Sequence, residues 1–416
     1  MENQGEAWLA SLDDPLRETL MAAGEELSER IQQVVAPLRG EPAFDPGQMA
    51  RRAEQIALPR EARFAHPLLE RAVRVGLAHI EATFQGDHPK YGVGAYAGPE
   101  HDGFPPTIIA AVDALTLWGQ VQRAERLLAY WLTHFVRAEG TLAYYGPSVS
   151  EYGQLLTTTR RLWERGGSQI WLQTHRNPLV RLAEYLQQQM RREGRIGLIP
   201  GVPEADERQQ TATYFHNSAW AVRGLEDFAF LSEQRGQIHR ARGARQDASS
   251  LRQLLLDALE QVWPQNPQDW WLRPMVEEDR EGYWARPQGR VTANRLGSYT
   301  NYRYWPELLS SGVLPRRWME RIVNARLTGG GQFCGTTRFM NHLDDWPLME
   351  YLDGLWHLGR MADYRLSLWG HIACHQAEDH LTAYEQVSFP PGRPMADYCL
   401  PCQLVAVRAA GRLLLE

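Results

Sequence analysis

The spacing between helix-forming segments constrains the fold of this 416-residue sequence more than any other feature. Apolar residues recur with the i, i+3, i+4, i+7 spacing of amphipathic helices, whereas the alternation that predicts strands is scarce. After an N-terminal helix over residues 16–38, the periodicity predicts twelve further helices. They begin near residues 66, 106, 122, 151, 171, 214, 247, 302, 316, 348, 361 and 401.

The connections between these helices alternate in length. Short ones, such as Gly119-Gln120-Val121 and Gly359-Arg360, take turns with long segments rich in Gly, Pro and aromatic residues: 84–105, 137–150, 193–213, 263–301, 327–347 and 376–400. In a ring of antiparallel helical hairpins, every second connection lies at the same end. The alternation therefore predicts an all-α fold, an (α/α)6 toroid of six helical hairpins over residues 61–416, with residues 1–60 as a helical N-terminal extension. We expect the function at the end that carries the long connections.

Composition excludes several classes of function. The 44 basic and 50 acidic residues give a net charge of −6 without a long basic run, which argues against a nucleic-acid partner. Lys90 is the only lysine, and no GxxxxGK[ST] loop is present, so Schiff-base chemistry and nucleoside triphosphate binding are disfavoured. The N-terminus lacks an apolar signal region, and no stretch approaches 18 uncharged apolar residues. We therefore expect a soluble, cytoplasmic protein with no membrane partner.

The long connections are rich in carboxylates and aromatic rings. In chain order these are Tyr91, Tyr96, Glu100, His101, Asp102, Tyr144, Tyr145, Glu151, Glu204, Asp206, Glu207, Trp270, Trp271, Trp284, Asp344, Asp345, Trp346, Tyr384 and Glu385, with the amides of Asn341 and Gln386. Sugars offer hydroxyl groups to such acceptors and flat C–H faces to aromatic rings. Hydrolysis of an acetal needs one protonated carboxyl group to assist departure and one ionised group to activate water. The set therefore favours a carbohydrate substrate.

Three segments resemble a known family. Residues 150–156 (SEYGQLL) open a helix with an acidic residue followed by Gly-Gln; residues 197–206 (GLIPGVPEAD) precede a helix that begins with residues 214–225 (YFHNSAWAVRGL); and residues 383–387 (AYEQV) precede the last helix. In these segments the sequence resembles the six-hairpin glycosidases, and among them it is most similar to glucoamylase-type glycoside hydrolases and their bacterial relatives. The family's acid motif has two adjacent Glu residues after a Trp, whereas this sequence reads Pro203-Glu204-Ala205-Asp206. The Arg-Asp pair that grips the terminal sugar is absent, and Glu100-His101-Asp102 is the nearest substitute.

The resemblance implies inverting hydrolysis of a small or oligomeric glycoside without a metal or cofactor. Glu385 would be the base, and Glu204 or Asp206 would be the acid. We expect substrate contacts from the remaining polar and aromatic side chains of these segments. They are Tyr96, Asp102, Glu151, Gln154, Tyr214, His216, Asn217, Trp220, Asn341, Asp344, Asp345, Trp346 and Tyr384.

A zinc enzyme on the same kind of fold is one alternative. Cys334 and the adjacent Cys374 and His375 are similar to the Cys and Cys-His ligands of lanthipeptide cyclases, which also use an (α/α) toroid. Two thiolates and an imidazole leave a fourth zinc position open for chemistry. His371 and His380 offer further nitrogen ligands.

Two other functions fit a similar barrel. A polysaccharide lyase or sugar epimerase would abstract a proton with Tyr214, His216, Asn217 or His342. A non-catalytic carbohydrate-binding toroid would keep the aromatic rings and lack one carboxylate of the catalytic pair. The CxxC spacing of Cys399 and Cys402 has a redox or zinc interpretation, but no βαβ context surrounds it, which favours buried structural thiols.

Overall fold

The computed structural model describes residues 38, 44–64, 66–144, 148–204, 211–266, 271–277, 299–328, 331–339, 341–377, 382–389, 391–396 and 398–416. The predicted helix over 16–38 lies almost wholly outside the described residues. The helix Pro46–Gln55 is described; Asp45 caps its N-terminus, and Met49 and Ala53 pack against the helix Pro67–Thr83. The division of the chain at residue 60 stays a prediction. No helix in the described part of the chain is long and apolar enough to cross a membrane.

Six helices form the inner layer. They are Pro105–Leu117, Ser150–Glu164, Phe215–Gln234, Trp305–Ser310, Leu348–Leu358 and Val405–Leu415. Each helix contacts the next one in this order, and the last contacts the first, so the layer is a closed ring. Inner helices bury most of their residues because they are covered on both sides; in Pro105–Leu117 eleven of thirteen residues are buried.

Six further helices form the outer layer and alternate along the chain with the inner ones. They are Pro67–Thr83, Val121–Phe135, Arg176–Gln189, Ile238–Val262, Arg316–Thr328 and Met361–His375. Each outer helix packs against inner helices, and the largest apolar core lies between the two layers. This arrangement confirms the predicted (α/α)6 toroid.

Two predicted helix starts differ from the structure. The helix expected from residue 247 begins earlier, at Ile238. The sequence prediction missed its first turns because they contact the core through small residues, Ala241 and Ala244, which give a weak periodic signal. The start expected near residue 171 falls in the short helix Gln169–Thr174, and the outer helix proper follows from Arg176.

A small antiparallel sheet lies among the long connections. Its five strands, in spatial order, are Gln332–Phe333, Thr336–Phe339, His342–Asp344, Gln386–Ser388 and Pro394–Ala396. Asp344 pairs with Gln386 in the register, so the sheet brings the 344–345 segment beside Glu385. The tight turn at Cys334 and Gly335 has φ values of 48° and 78°, and it packs on the helix Met361–His375 at Gly370. A side chain at position 370 would lie 1.8 Å from the carbonyl oxygen of Cys334, so only glycine permits this contact.

Candidate active site

The long connections meet at one end of the toroid, where the inner helices begin. Trp346 stacks on Phe104 with a ring-centre distance of 5.5 Å and an angle of 16°. The guanidinium carbon of Arg303 lies 5.5 Å from the centre of the Trp346 ring. Backbone bridges join Ser148 to Val202 and Gly92 to Cys399. Segments that are distant in the sequence therefore share one face, as the alternating connection lengths predict.

Three inner helices each place a glutamate in their first turn at this end. Glu151 belongs to Ser150–Glu164, Glu307 to Trp305–Ser310, and Glu350 to Leu348–Leu358. Their side chains line one pocket together with Gln154, Arg303, Trp346, Pro106 and Pro347. Because the N-termini of the helices converge, the carboxyl groups converge as well. The pocket, about 10 Å³ in volume, holds roughly one water molecule.

Glu204 is fully buried beside this pocket. The Tyr299 hydroxyl donates to its carboxylate at 2.8 and 3.0 Å, and Arg303 Nη1 lies 2.9 Å from Glu204 Oε2. Arg303 Nε also lies 3.7 Å from Glu307 Oε2. One guanidinium therefore serves two carboxyl groups. Glu151 is linked to the same group of side chains, since the Ser150 hydroxyl hydrogen-bonds both Glu151 and Glu307.

Burial favours the protonated form of these carboxyl groups. Burial and the neighbouring charge of Glu307 raise the pKa of Glu151 to about 7, against the opposing effect of the Ser148 hydrogen bond. Burial also raises the pKa of Glu307, and it raises the pKa of Glu350 to about 7. We therefore expect the cluster of Glu151, Glu204, Glu307 and Arg303 to retain a proton at neutral pH.

His216 and Asn217, the second and third residues of the helix Phe215–Gln234, hold the loop that carries Glu204. His216 Nε2 lies 3.0 Å from the Pro203 carbonyl oxygen, and Asn217 Nδ2 donates to the Val202 carbonyl at 3.1 Å. Burial lowers the pKa of His216 to about 3, so its ring is neutral and donates from Nε2. These two predicted sugar contacts thus support the loop. Asp206, the alternative acid, lies outside the described residues.

Glu385 immediately precedes the strand Gln386–Ser388 of the small sheet. Burial and then the charge of Glu385, whose carboxylate accepts a hydrogen bond from Tyr96, raise the pKa of that tyrosine. Asp344, next to it in the sheet, accepts from Gln386 Nε2 and from the Trp346 backbone amide, both at 2.9 Å. Glu385 and Asp344 are therefore neighbouring buried carboxylates on paired strand segments.

A pair of tyrosines connects the surroundings of Glu204 with those of Glu385. The rings of Tyr299 and Tyr302 pack edge to face with centres 5.1 Å apart. Tyr299 donates to Glu204, while burial and then the charges of Asp344 and Glu385 raise the pKa of Tyr302. With Tyr214 and Tyr304 these two tyrosines form one buried aromatic cluster. Glu204 is bonded to this cluster, and Glu385 is near enough for its charge to act on it.

The other predicted contact residues have varied surroundings. Asp102 pairs with Lys90 at 2.8 Å and with His88 at 2.9 Å. Tyr214 is buried in the aromatic cluster, and Tyr384 packs against Tyr398. Asn341 is exposed at a hairpin turn. The Trp220 indole donates to the Glu307 carbonyl at 2.9 Å. Asp345 contacts His371 and His375.

Five residues of the site escaped the sequence prediction: Tyr299, Tyr302, Arg303, Glu307 and Glu350. Four of them lie in or next to the π-helical turn Thr300–Tyr304 ahead of a short helix, where apolar periodicity is weak. One available signal for Glu307 and Glu350 was that each follows a long connection in the first turn of a helix, as Glu151 does.

A deeper cavity of about 40 Å³ lies on the axis of the toroid below the pocket. Asp113 and two arginines line it; Asp113 Oδ2 lies 2.8 Å from Arg161 Nη1 and 3.1 Å from Arg408 Nη2. The interior of the ring is therefore filled by paired charges as well as by apolar side chains.

The cysteines do not assemble a metal site among the residues that the structure describes, where no group of three or more His, Cys, Asp or Glu side chains is arranged to hold an ion. Cys334 and Cys374 hydrogen-bond each other, and His375 directs its ring nitrogens to Tyr384 and Asp345. The Sγ atoms of Cys399 and Cys402 lie 3.2 Å apart, and burial raises the pKa values of both thiols. Such thiols are poor nucleophiles.

No protein-family model matches the sequence, and no curated protein matches it. Solved structures do. A bacterial glucoamylase complexed with acarbose is 12% identical with a TM-score of 0.55, over 82% of this chain and 54% of the glucoamylase, so the chain spans about half of that protein's length.

Two further solved structures match over nearly their whole length. A glycosidase variant in complex with glucose is 12% identical with a TM-score of 0.56, over 90% of this chain and 100% of that one. A GH76 α-mannanase from Bacteroides thetaiotaomicron is 10% identical with a TM-score of 0.51, over 88% and 97%. The chain therefore has the (α/α)6 fold of the six-hairpin glycosidases.

Proposed function

We propose that the protein is a glycoside hydrolase that acts on a small or oligomeric glycoside by an inverting mechanism. Glu385 is the base and Glu204 the acid, with Asp206 as the alternative acid. One observation carries the proposal: two buried carboxyl groups from separate long connections lie near the same pair of packed tyrosines, Glu204 bonded to Tyr299 and Glu385 near enough for its charge to raise the pKa of Tyr302. The fold shared with solved glycosidases supports it.

The acid needs a proton at working pH. A carboxyl group beside an arginine is usually ionised. Here, however, Arg303 is shared between Glu204 and Glu307, and Glu151 adds a third carboxyl group. Three buried carboxyl groups around one guanidinium retain a proton near neutral pH, and Glu204, on the loop, is the member we assign to donate it to the departing oxygen.

The base works in its ionised form. The hydroxyl of Tyr96 donates to the carboxylate of Glu385, a contact that favours the charged state. In inverting enzymes the two carboxyl groups stand roughly 6.5–9.5 Å apart, so that a water fits below the anomeric carbon.

The charge of the pocket favours hydrolysis of a neutral sugar over the lyase alternative. Of the described residues that line the pocket, three are glutamates and one, Arg303, is cationic. A polysaccharide lyase must neutralise the carboxylate of a uronic acid, which needs positive charge beside the sugar. His216, a candidate proton acceptor for a lyase or epimerase, is buried and bonded to the Pro203 carbonyl.

The test uses a panel of aryl glycosides with leaving groups of different acidity. On a substrate that the wild type turns over, Glu385→Gln should lower kcat by several orders of magnitude with KM nearly unchanged, because water activation acts only in the transition state. Glu204→Gln should recover much of its rate on the most activated leaving group, which needs little protonation. Glu226→Gln, at a half-buried ion pair with Arg252 away from the pocket, serves as the matched control and should behave as the wild type.

Product stereochemistry is read in the same experiment. Proton NMR of the first-formed sugar should show the anomer opposite to that of the substrate. Retention of configuration, or near-wild-type turnover by Glu385→Gln, would contradict the proposed mechanism. In the second case Asp344 becomes the next carboxylate to replace.

A further inference from the structure

A second buried cluster lies directly behind Glu385. Asp345, His371 and His375 all have side chains that are 0% exposed. His371 Nδ1 hydrogen-bonds Asp345 Oδ2, and His375 Nε2 lies 3.0 Å from Asp345 Oδ1. The two histidines are one turn apart on the outer helix Met361–His375, and Asp345 follows a strand of the small sheet.

The hydrogen-bond geometry fixes where the protons are. His375 Nδ1 lies 2.9 Å from the carbonyl oxygen of Tyr384, so this nitrogen donates. In a neutral ring Nε2 then carries the lone pair, and a bond to Asp345 Oδ1 requires a proton on that oxygen. Burial raises the pKa of Asp345 to about 8 and lowers the pKa values of both histidines, His371 to about 3. A neutral aspartic acid between two neutral imidazoles gives a donor and an acceptor to each of these three contacts.

This cluster holds the backbone on both sides of the Glu385 Cα. The Asp345 amide donates to the Glu385 carbonyl at 3.0 Å. On the preceding residue, the Tyr384 carbonyl accepts from His375 Nδ1, and the Tyr384 amide donates to the His375 carbonyl at 3.0 Å. Two hydrogen bonds to Tyr384 and one to Glu385 therefore tie this segment to the outer helix and to Asp345.

We propose that Asp345, His371 and His375 are positioning residues that fix the Tyr384–Glu385 backbone and, through it, the carboxylate of Glu385. The inference rests on the proposed function for the role of Glu385 as base. A base that activates water depends on placement, because a displacement of about 1 Å costs on the order of 100-fold in rate. The strands beside Glu385 are only two or three residues long. The cluster attaches this segment rigidly to the outer helix Met361–His375.

The test compares two replacements of Asp345. In Asp345→Asn the amide donates to His375 and its oxygen accepts from His371, which reproduces the neutral acid, so kcat should stay within about 3-fold of the wild type. In Asp345→Ala both bonds are lost, and kcat should fall by about 10- to 100-fold with KM changed by less than about 3-fold. Asp227→Ala is the matched control. Asp227 is equally buried and bonded to Arg160 and Arg223, but it lies toward the other end of an inner helix.

Hydrogen exchange gives a readout that does not need a substrate. Peptides covering residues 382–388 should exchange faster in Asp345→Ala than in the wild type, Asp345→Asn and Asp227→Ala. If Asp345→Ala does not fold, His375→Phe replaces it, since its ring has a similar volume and removes both side-chain contacts of His375. It should show the same loss of kcat and the same faster exchange at 382–388.

Three results would overturn the inference. The first is unchanged exchange at 382–388 in Asp345→Ala or His375→Phe. The second is a kcat of Asp345→Ala within about 2-fold of the wild type where Glu385→Gln is inactive. The third is zinc bound to the wild type and lost from Asp345→Asn. Full turnover by Glu385→Gln, by contrast, would contradict the proposed function. Hydrogen exchange at residues 382–388 alone would then decide whether Asp345, His371 and His375 position this segment.

Discussion

Two effects oppose each other at Glu151, Glu307 and Glu350, the first-turn glutamates of the inner helices. The N-terminal end of a helix stabilises negative charge by typically 0.3–1 kcal/mol, which favours ionisation. Burial and mutual repulsion favour the proton, and they prevail, since the pKa values of Glu151 and Glu350 rise to about 7. Sequence position alone would assign these residues as ordinary helix-stabilising charges. Convergence of the helices changes their protonation.

The first prediction is the pH dependence of kcat. Since Glu151 has a raised pKa of about 7, its cluster holds a proton below that pH and loses it above, so kcat should fall as pH rises through about 7. Glu151→Gln removes a neighbouring negative charge and should move this alkaline limb to lower pH, because the remaining carboxyl groups release their last proton more easily. Measurements of kcat from pH 4 to 9 for the wild type and Glu151→Gln check this prediction. Glu164→Gln, at the far end of the same helix, should leave the limb in place; an unmoved limb in Glu151→Gln would exclude the cluster from setting it.

Helix packing explains two glycines in the segments that carry the family resemblance. Gly153 and Gly224 lie where the inner helices Ser150–Glu164 and Phe215–Gln234 touch. A Cβ atom on Gly153 would lie 2.0 Å from the Trp220 carbonyl oxygen, and one on Gly224 would lie 2.4 Å from the Gly153 Cα. The absence of side chains thus sets the distance between the helix that carries Glu151 and the helix that holds the Glu204 loop.

Gly153→Ala should therefore destabilise the protein. The added methyl group meets backbone atoms that cannot rotate away, and overpacking of this kind costs about 1–3 kcal/mol. Gly243→Ala is the matched control: it lies on the exposed side of an outer helix with nothing within 4 Å of an added Cβ, and it should stabilise by up to about 1 kcal/mol. Thermal unfolding monitored by circular dichroism measures both. Equal melting temperatures for Gly153→Ala and the wild type would contradict the close approach of these two helices.

Helices and their order were predictable from the sequence because apolar periodicity is local and each helix spans several turns. The small sheet was not, because its strands have two to four residues and pair across the chain, as Asp344 does with Gln386. The carboxylates of the long connections were found by residue type. Arg303 and Glu307 were not, because their importance comes from the approach of Glu204, about a hundred residues earlier in the chain.

The closed ring brings charged side chains from separate helices together at one end of the molecule. All six inner helices begin at the same end, so their first turns and the described parts of the long connections gather there. At the described pocket this leaves Glu151, Glu307 and Glu350 facing Arg303, which already pairs with Glu204. The net charge of −6 has the same sign as the pocket and does not offset it.

The charge of this face should decide between sugar classes. A uronide would bring its own carboxylate beside Glu151, Glu307 and Glu350, where burial already disfavours negative charge and raises the pKa values of the carboxyl groups. A further carboxylate placed there would cost several kcal/mol. We therefore expect kcat/KM for a neutral aryl glycoside to exceed that for the aryl uronide of the same ring stereochemistry by about 100-fold or more, measured side by side at low salt. Glu350→Gln should narrow the difference between the two rates, because it removes one carboxyl group from the pocket without touching Glu204 or Glu385. Glu226→Gln, at a half-buried ion pair with Arg252 away from the pocket, should not. Equal rates on the two substrates would show that the sugar does not approach these glutamates, and the site would have to be placed nearer to Asp344 and Glu385 alone.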